Sequence, residues 1–123
     1  MSSVVEINSL LSQLKTKILV FGVAFRGRDK NLQALLDLDI TPKQREDYLK
    51  DLTSDNYYSG PNPDRDVPGK PDYYEFGLVI NNKNVYIKLS PGLSGKMVDC
   101  ISFHVAEWPL KFPLKSQPNE EDN

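Results

Sequence analysis

Tyr86, Lys88, Ser102 and His104 carry side chains suited to phosphodiester chemistry on RNA, and all four fall within one stretch, NVYIKLSPGLSGKMVDCISFHVAEWPL, over residues 84–110. Cleaving RNA through its own 2′-OH takes a base for that hydroxyl, a cation for the charge that builds on phosphorus, and an acid for the departing 5′-oxygen. Glu75 or His104 suits the base, Lys88 or an arginine the cation, and His104 or Tyr86 the acid. Tyr86 or Tyr73 offers a ring on which an unpaired base stacks. Arg26, Arg28 and Lys30 form a basic turn able to meet phosphates.

These residues meet only if strands carry them. Side chains alternate along a strand, so Val85, Ile87 and Leu89 point one way and Tyr86 and Lys88 the other. By the same rule Ile101, Phe103 and Val105 share one face, and Cys100, Ser102 and His104 the opposite one. Tyr74, Phe76 and Leu78 make a third apolar set, leaving Tyr73 and Glu75 beside Gly77. With the apolar sets turned to one core, Glu75, Tyr86, Lys88, Ser102 and His104 converge on an open polar face. Each residue also has an ordinary reading: a half-exposed histidine, surface Tyr and Lys on a sheet, a solvated basic turn, a Glu75–Lys88 ion pair.

Other chemistries fit less well. Cys100 and His104 lie four residues apart on one strand, about 13 Å between Cα atoms, too far for a thiolate–imidazole pair. Ser102 lacks a nucleophile-elbow pattern, and the glycines Gly92 and Gly95 lack the Lys-Ser/Thr ending of a phosphate loop. One cysteine and one histidine can form neither an internal disulfide nor a structural zinc site. No acidic cluster has the spacing of a metal loop, so neither metal nor cofactor is expected.

The remaining chain supplies the scaffold. Ser3-Val4-Val5-Glu6 has capping-box spacing, and Val4, Ile7, Leu10, Leu11 and Leu14 then repeat with helical period. The run 17–26 is nearly all apolar and rich in β-branched and aromatic residues, which predicts a strand buried on both faces, either central or covered by helices. Two short helices follow, one over 31–38 and one opened by Thr41-Pro42. Prolines and glycines crowd residues 54–72, predicting an irregular loop. Strands are expected over 73–80, 85–89 and 97–105, with turns at 81–84 and 91–95. The expectation is an α+β fold: N-terminal helix, strand, two short helices, then a three-stranded antiparallel meander with helices on one sheet face.

At 123 residues, 39% hydrophobic and 26% charged, the chain suits a single domain over 1–114, with a Pro-bearing acidic tail over 115–123 expected to be disordered. No run of roughly eighteen apolar residues suggests a membrane span, and no secretory pattern opens the chain, so a cytoplasmic location is expected. The net charge of −2 argues against a protein that coats nucleic acid, though not against RNA as a substrate.

The segments LLDLDITPKQRE, DNYYSGP, YYEFG, VYIKL and CISFHVAEWPLKFP resemble a group of small bacterial and archaeal proteins related to the MqsR toxins. Those are messenger-RNA interferases of RelE-like fold, encoded beside an antitoxin. The resemblance spans about residues 17–113; to the well-characterised toxin it rests on VYIKL followed by ISF. It implies a toxin-type endoribonuclease acting on single-stranded RNA, with a cognate antitoxin protein as partner. Tyr86 then stands at the family's catalytic tyrosine, His104 replaces a catalytic lysine, Tyr58 replaces a lysine, and Glu75 falls near a glutamine. A non-catalytic protein-binding module of the same fold is the alternative, with Trp108 and Phe112 as anchors or as a strap packed on the core.

Overall fold

The computed structural model describes residues 2–64 and 69–115; the expected tail lies, apart from Lys115, outside the described residues. Helix α1 (Val4–Phe21) opens on a complete capping box, in which the Ser3 hydroxyl accepts from the Glu6 N–H and the Glu6 carboxylate accepts from the Ser3 N–H. Ile7, Leu10, Leu11, Leu14 and Ile18 form its buried stripe. The helix does not stop near Leu14. It runs on through ILVF to Gly22, because extending an existing helix is easier than starting a strand and no breaker intervenes. The strand expected over 17–26 is therefore only β1 (Val23–Phe25), a half-buried edge strand, and Leu19, Val20 and Phe21 stay exposed on the helix.

Helices α2 (Asp29–Leu38) and α3 (Pro42–Lys50) form the pair predicted from their leucines and the Thr41-Pro42 start. Asp39 joins them in a left-handed conformation, and Thr41 with Gln44 makes a second capping box. Residues 54–72 are not wholly irregular. A single 3₁₀ turn (Ser54–Asn56) leads into β2 (Tyr57–Asn62), a strand the prolines conceal because it lies at the outer edge of the sheet, where a missing N–H leaves no ladder bond unmade. Gly60 sits against β3 (Tyr73–Ile80) so closely that a Cβ there would come within 2.9 Å of the Tyr74 Cα, at a φ of +121°.

β3 turns through Asn81 and Asn82, both at positive φ, into β4 (Lys83–Ser90), which pairs with β5 (Val98–Val105). The sheet order is β1-β5-β4-β3-β2: β2 to β5 form an antiparallel meander of four strands rather than three, and β1 adds to β5 in parallel. The result is a small α+β fold with N-terminal helices and a mixed sheet. Phe76, Val85, Ile87, Leu89 and Phe103 from the sheet meet Ile7, Leu11, Leu14, Ala34, Leu38 and Leu49 from the helices in one core. Among the described residues no helix is long and apolar enough to cross a membrane.

A strap over residues 106–115 follows β5. Its first N–H bonds the Asn84 carbonyl at 2.8 Å, and it then crosses the sheet face opposite the helices. Gly77 makes room for it, since a Cβ at that position would lie 2.5 Å from Leu110 Cδ1 and 3.1 Å from the Phe112 ring.

Candidate functional site

Strand register places the polar side chains in rows. Ser102, Lys88, Glu75 and Ser59 lie side by side across β5, β4, β3 and β2, and His104, Tyr86 and Gly77 form the next row. Two bulges set this pattern. In β5, Lys88 faces Ser102 while Leu89 faces Cys100, so Ile101 is an extra residue and the alternation shifts there. Cys100 consequently lies in the core, with its thiol pushed up above its ordinary pKa by burial, and does not share the polar face with Ser102 and His104 as strict alternation predicts. In β2, Tyr58 is the extra residue between Tyr57, which faces Phe76, and Ser59, which faces Glu75.

The bulged edge of β5 is closed by one side chain. Asn31, buried in α2, donates through Nδ2 to the Ile101 and Arg26 carbonyls at 3.0 Å each and accepts the Phe103 N–H on Oδ1 at 3.0 Å. Its amide thus stands in for a neighbouring strand over the stretch of β5 that β1 is too short to cover. This clamp brings the start of α2 beside His104.

A cleft of about 460 Å³ results, lined by Tyr86, Lys88, Ser102 and His104 from the sheet, by Arg28, Asp29 and Lys30 at the start of α2, and by Glu107 and Trp108 from the strap. His104 is 8% exposed. Its Nδ1 lies 2.9 Å from the Val105 carbonyl oxygen, which can only accept, so Nδ1 carries the hydrogen and the neutral ring keeps Nε2 bare as a proton acceptor. The imidazole packs against Tyr86 with ring centroids 5.5 Å apart. Lys88 makes no ion pair among the described residues; its ammonium sits 3.9 Å from the centroid of the Tyr73 ring.

Glu75 does not pair with Lys88. Its carboxylate accepts hydrogen bonds from the hydroxyls of Tyr86 and Ser59, with Asn62 Nδ2 3.0 Å from the same serine oxygen. Burial, followed by the hydrogen bond and charge of Glu75, pushes the Tyr86 phenol far above its ordinary pKa, and Tyr73 and Tyr58 add to the effect. Tyr86 therefore stays a neutral donor throughout the physiological range.

The basic turn divides. Arg26 makes a two-point bond to Asp99 at 2.8 and 3.3 Å, which raises its pKa, and it lies outside the cleft lining. Lys30 bonds both oxygens of Glu107 at 2.8 and 2.9 Å and holds that carboxyl below its usual range. Arg28, exposed at the head of α2, makes no ion pair among the described residues. Lys88, Ser102, His104, Tyr86, Arg28 and Lys30 thus share one cleft; Tyr73 and Glu75 adjoin it through Lys88 and Tyr86, Tyr58 sits at the β2 bulge, and Arg26 stands apart.

Four contributors are not legible in the sequence: Asn31, which sets the edge, Ser59, which occupies Glu75, Glu107, which engages Lys30, and Trp108 as a lining residue. A polar residue amid the α2 leucines was the one available sign of the first; Ser59 was hidden with β2. Among the described residues no group of three or more His, Cys, Asp or Glu side chains is arranged to hold a metal ion. No family model, curated protein or solved structure matches the chain.

Proposed function

We propose that this protein is a toxin-type endoribonuclease of RelE-like fold that cleaves single-stranded RNA through a 2′,3′-cyclic phosphate, using its own side chains for acid and base. One observation carries the reading: the same cleft is lined by an imidazole whose neutral ring has a bare Nε2, an ammonium with no ion pair among the described residues and a phenol held protonated until it meets a stronger base. The 2′-oxygen bonds to phosphorus as its proton passes to His104 Nε2. Lys88 faces the charge gathering on the phosphoryl oxygens. The P–O5′ bond breaks, and the departing oxygen takes the Tyr86 proton, which swings away from Glu75; an alkoxide is a stronger base than a phenolate, so the transfer is favourable even from a raised phenol. Glu75, already occupied by two hydroxyls, is a holder of Tyr86 rather than the base. Substrate phosphates meet Arg28 and, beside Glu107, Lys30.

The resemblance to the MqsR-related group supports the same reading and adds a cognate antitoxin and a cytoplasmic setting. Incubation of the purified protein with mixed-sequence single-stranded RNA, with and without EDTA and beside His104→Ala, tests it. EDTA-resistant cleavage that leaves cyclic phosphate ends and disappears in the variant is the expected result; RNA left intact by the wild type sinks the proposal.

A protein-binding module without catalysis is favoured by one feature, the exposed run Leu19, Val20 and Phe21 at the end of α1. It predicts intact RNA and no growth arrest on expression.

A further inference from the structure

We propose that Trp108 is the stacking platform for an unpaired nucleobase beside the scissile phosphate, a role that rests on the ribonuclease reading of the cleft. Were the indole an anchor for the strap, its ring would be the buried part. It is 45% exposed, and the anchoring falls to Leu110 and Phe112, half-buried over Gly77. Trp108 instead stands on the cleft wall with one flank against Tyr86, ring centroids 5.3 Å apart.

Its position is held from both sides. The residue before it, Glu107, is tied to Lys30 on α2, and the residue after it is Pro109, which narrows the backbone choices. With its backbone confined in this way and one flank of the ring against Tyr86, the indole loses little freedom on receiving a ligand. Around it lie the Lys88 and Arg28 cations and the His104 imidazole, with Asp29 as the one lining carboxylate besides Glu107, which Lys30 neutralises. A flat apolar surface next to positive charge fits a base with its attached phosphate, and does so for any base, since each has a π-face. The reacting phosphate then lies between the stacked nucleotide and its neighbour, within the span of the same cleft.

The chain has one tryptophan, so emission excited beyond the absorption of its tyrosines reports Trp108 alone. The probe is a short 2′-O-methyl RNA of mixed sequence, which cannot be cleaved, with an abasic strand of equal length as control. Quenching by the first and not by the second is expected. A dye-labelled copy of the probe, followed by anisotropy, is expected to bind Trp108→Leu about tenfold to a hundredfold more weakly, the range of base–aromatic stacking, and Trp108→Phe nearly as well as the wild type. Circular dichroism and unfolding midpoints check that the variants are folded, as an exposed ring permits. Binding with unchanged emission, or equal affinity in Trp108→Leu, overturns the assignment. Failure of the probe to bind overturns it as well. In each case His104-dependent cleavage, measured separately, still decides the ribonuclease reading.

Discussion

Replacing Asn31 with alanine is expected to be among the most damaging single changes in the molecule. The side chain satisfies three backbone groups, the Phe103 N–H and the carbonyls of Ile101 and Arg26, and the bonds to Phe103 and Ile101 are buried. A buried N–H left alone costs about 1–3 kcal/mol, and each carbonyl, with a second lone pair, about 1 kcal/mol. The sum is roughly 3–5 kcal/mol against a total of about 5–15 kcal/mol for an ordinary domain. In thermal unfolding that is a fall of about 10–20 °C for a chain of this size. Asn31→Asp separates hydrogen bonding from packing, because it keeps the shape and the acceptor for Phe103 but turns an oxygen toward two carbonyl oxygens. Its loss at neutral pH is expected to match or exceed that of alanine. Urea titration followed by circular dichroism gives both values. A cost below about 1 kcal/mol for Asn31→Ala, or an Asn31→Asp variant as stable as wild type, refutes the idea that this amide substitutes for a missing strand.

Four further outcomes follow from other parts of the structure. Gly77→Ala drives a Cβ to 2.5 Å from Leu110 Cδ1; it is expected to cost about 1–3 kcal/mol and to shift the emission of Trp108 as the strap lifts, and unchanged emission with unchanged stability speaks against the close fit. Arg45 is 9% exposed, has no hydrogen-bond partner for Nε among the described residues, and lies 3.8 Å from the centroid of the Phe25 ring, with burial lowering its pKa. Arg45→Met is therefore expected to stay within about 1 kcal/mol of wild type or to gain stability, and a loss above about 2 kcal/mol in denaturant titration contradicts that. Tyr86 ionises above its ordinary value of 10.0, so its folded form holds a proton that the unfolded form releases; its contribution is complete below the unfolded pKa and is lost as pH rises beyond it. Wild type should fall in stability above about pH 10 more steeply than Tyr86→Phe, and parallel profiles would remove Tyr86 as the cause. Finally, with Arg26 and Lys30 engaged by carboxylates, Arg28 and Lys88 are the cations of the cleft lining left to displace counterions, so log K for single-stranded RNA held there should fall with log salt at a slope of about −1.4; a slope twice as steep means that further cations, such as those of the ion pairs, meet the substrate.

The polar face was readable in the sequence because its strands alternate without interruption from Val85 to Leu89 and from Ser102 to Val105. What alternation cannot show is an inserted residue. Ile101 changes the face on which Cys100 lies, and the clamp that makes this bulge tolerable comes from Asn31, seventy positions away from Ile101 in the chain. The two misplaced elements have local causes too. ILVF has strand-like composition, yet it directly continues a capped helix, and composition yields to helix propagation. YYSGPN has loop-like composition, yet as an edge strand it needs to pair on one side only. Missing β2 hid Ser59, and with it the reason why Glu75 is occupied.

That occupation decides how acid and base are divided in the proposed reaction. From residue types alone, Glu75 and His104 are equal candidates for the base, and Tyr86 and His104 for the acid. The carboxylate accepts one hydroxyl hydrogen on each oxygen, from Ser59 and from Tyr86, and is not part of the cleft lining, while the surrounding burial and its charge hold Tyr86 in the neutral form. His104 has the complementary geometry, because the Val105 carbonyl accepts its Nδ1 hydrogen, which in the neutral ring leaves Nε2 as the acceptor. Two neighbouring rings on facing strands are thereby set in opposite roles, one able only to give a proton and the other ready to receive one. A histidine at this position suits the receiving role better than a lysine would, since an unperturbed lysine is already protonated at neutral pH. Among the departures from the resembled family's pattern, the histidine is therefore the one that gives the proposed reaction its base.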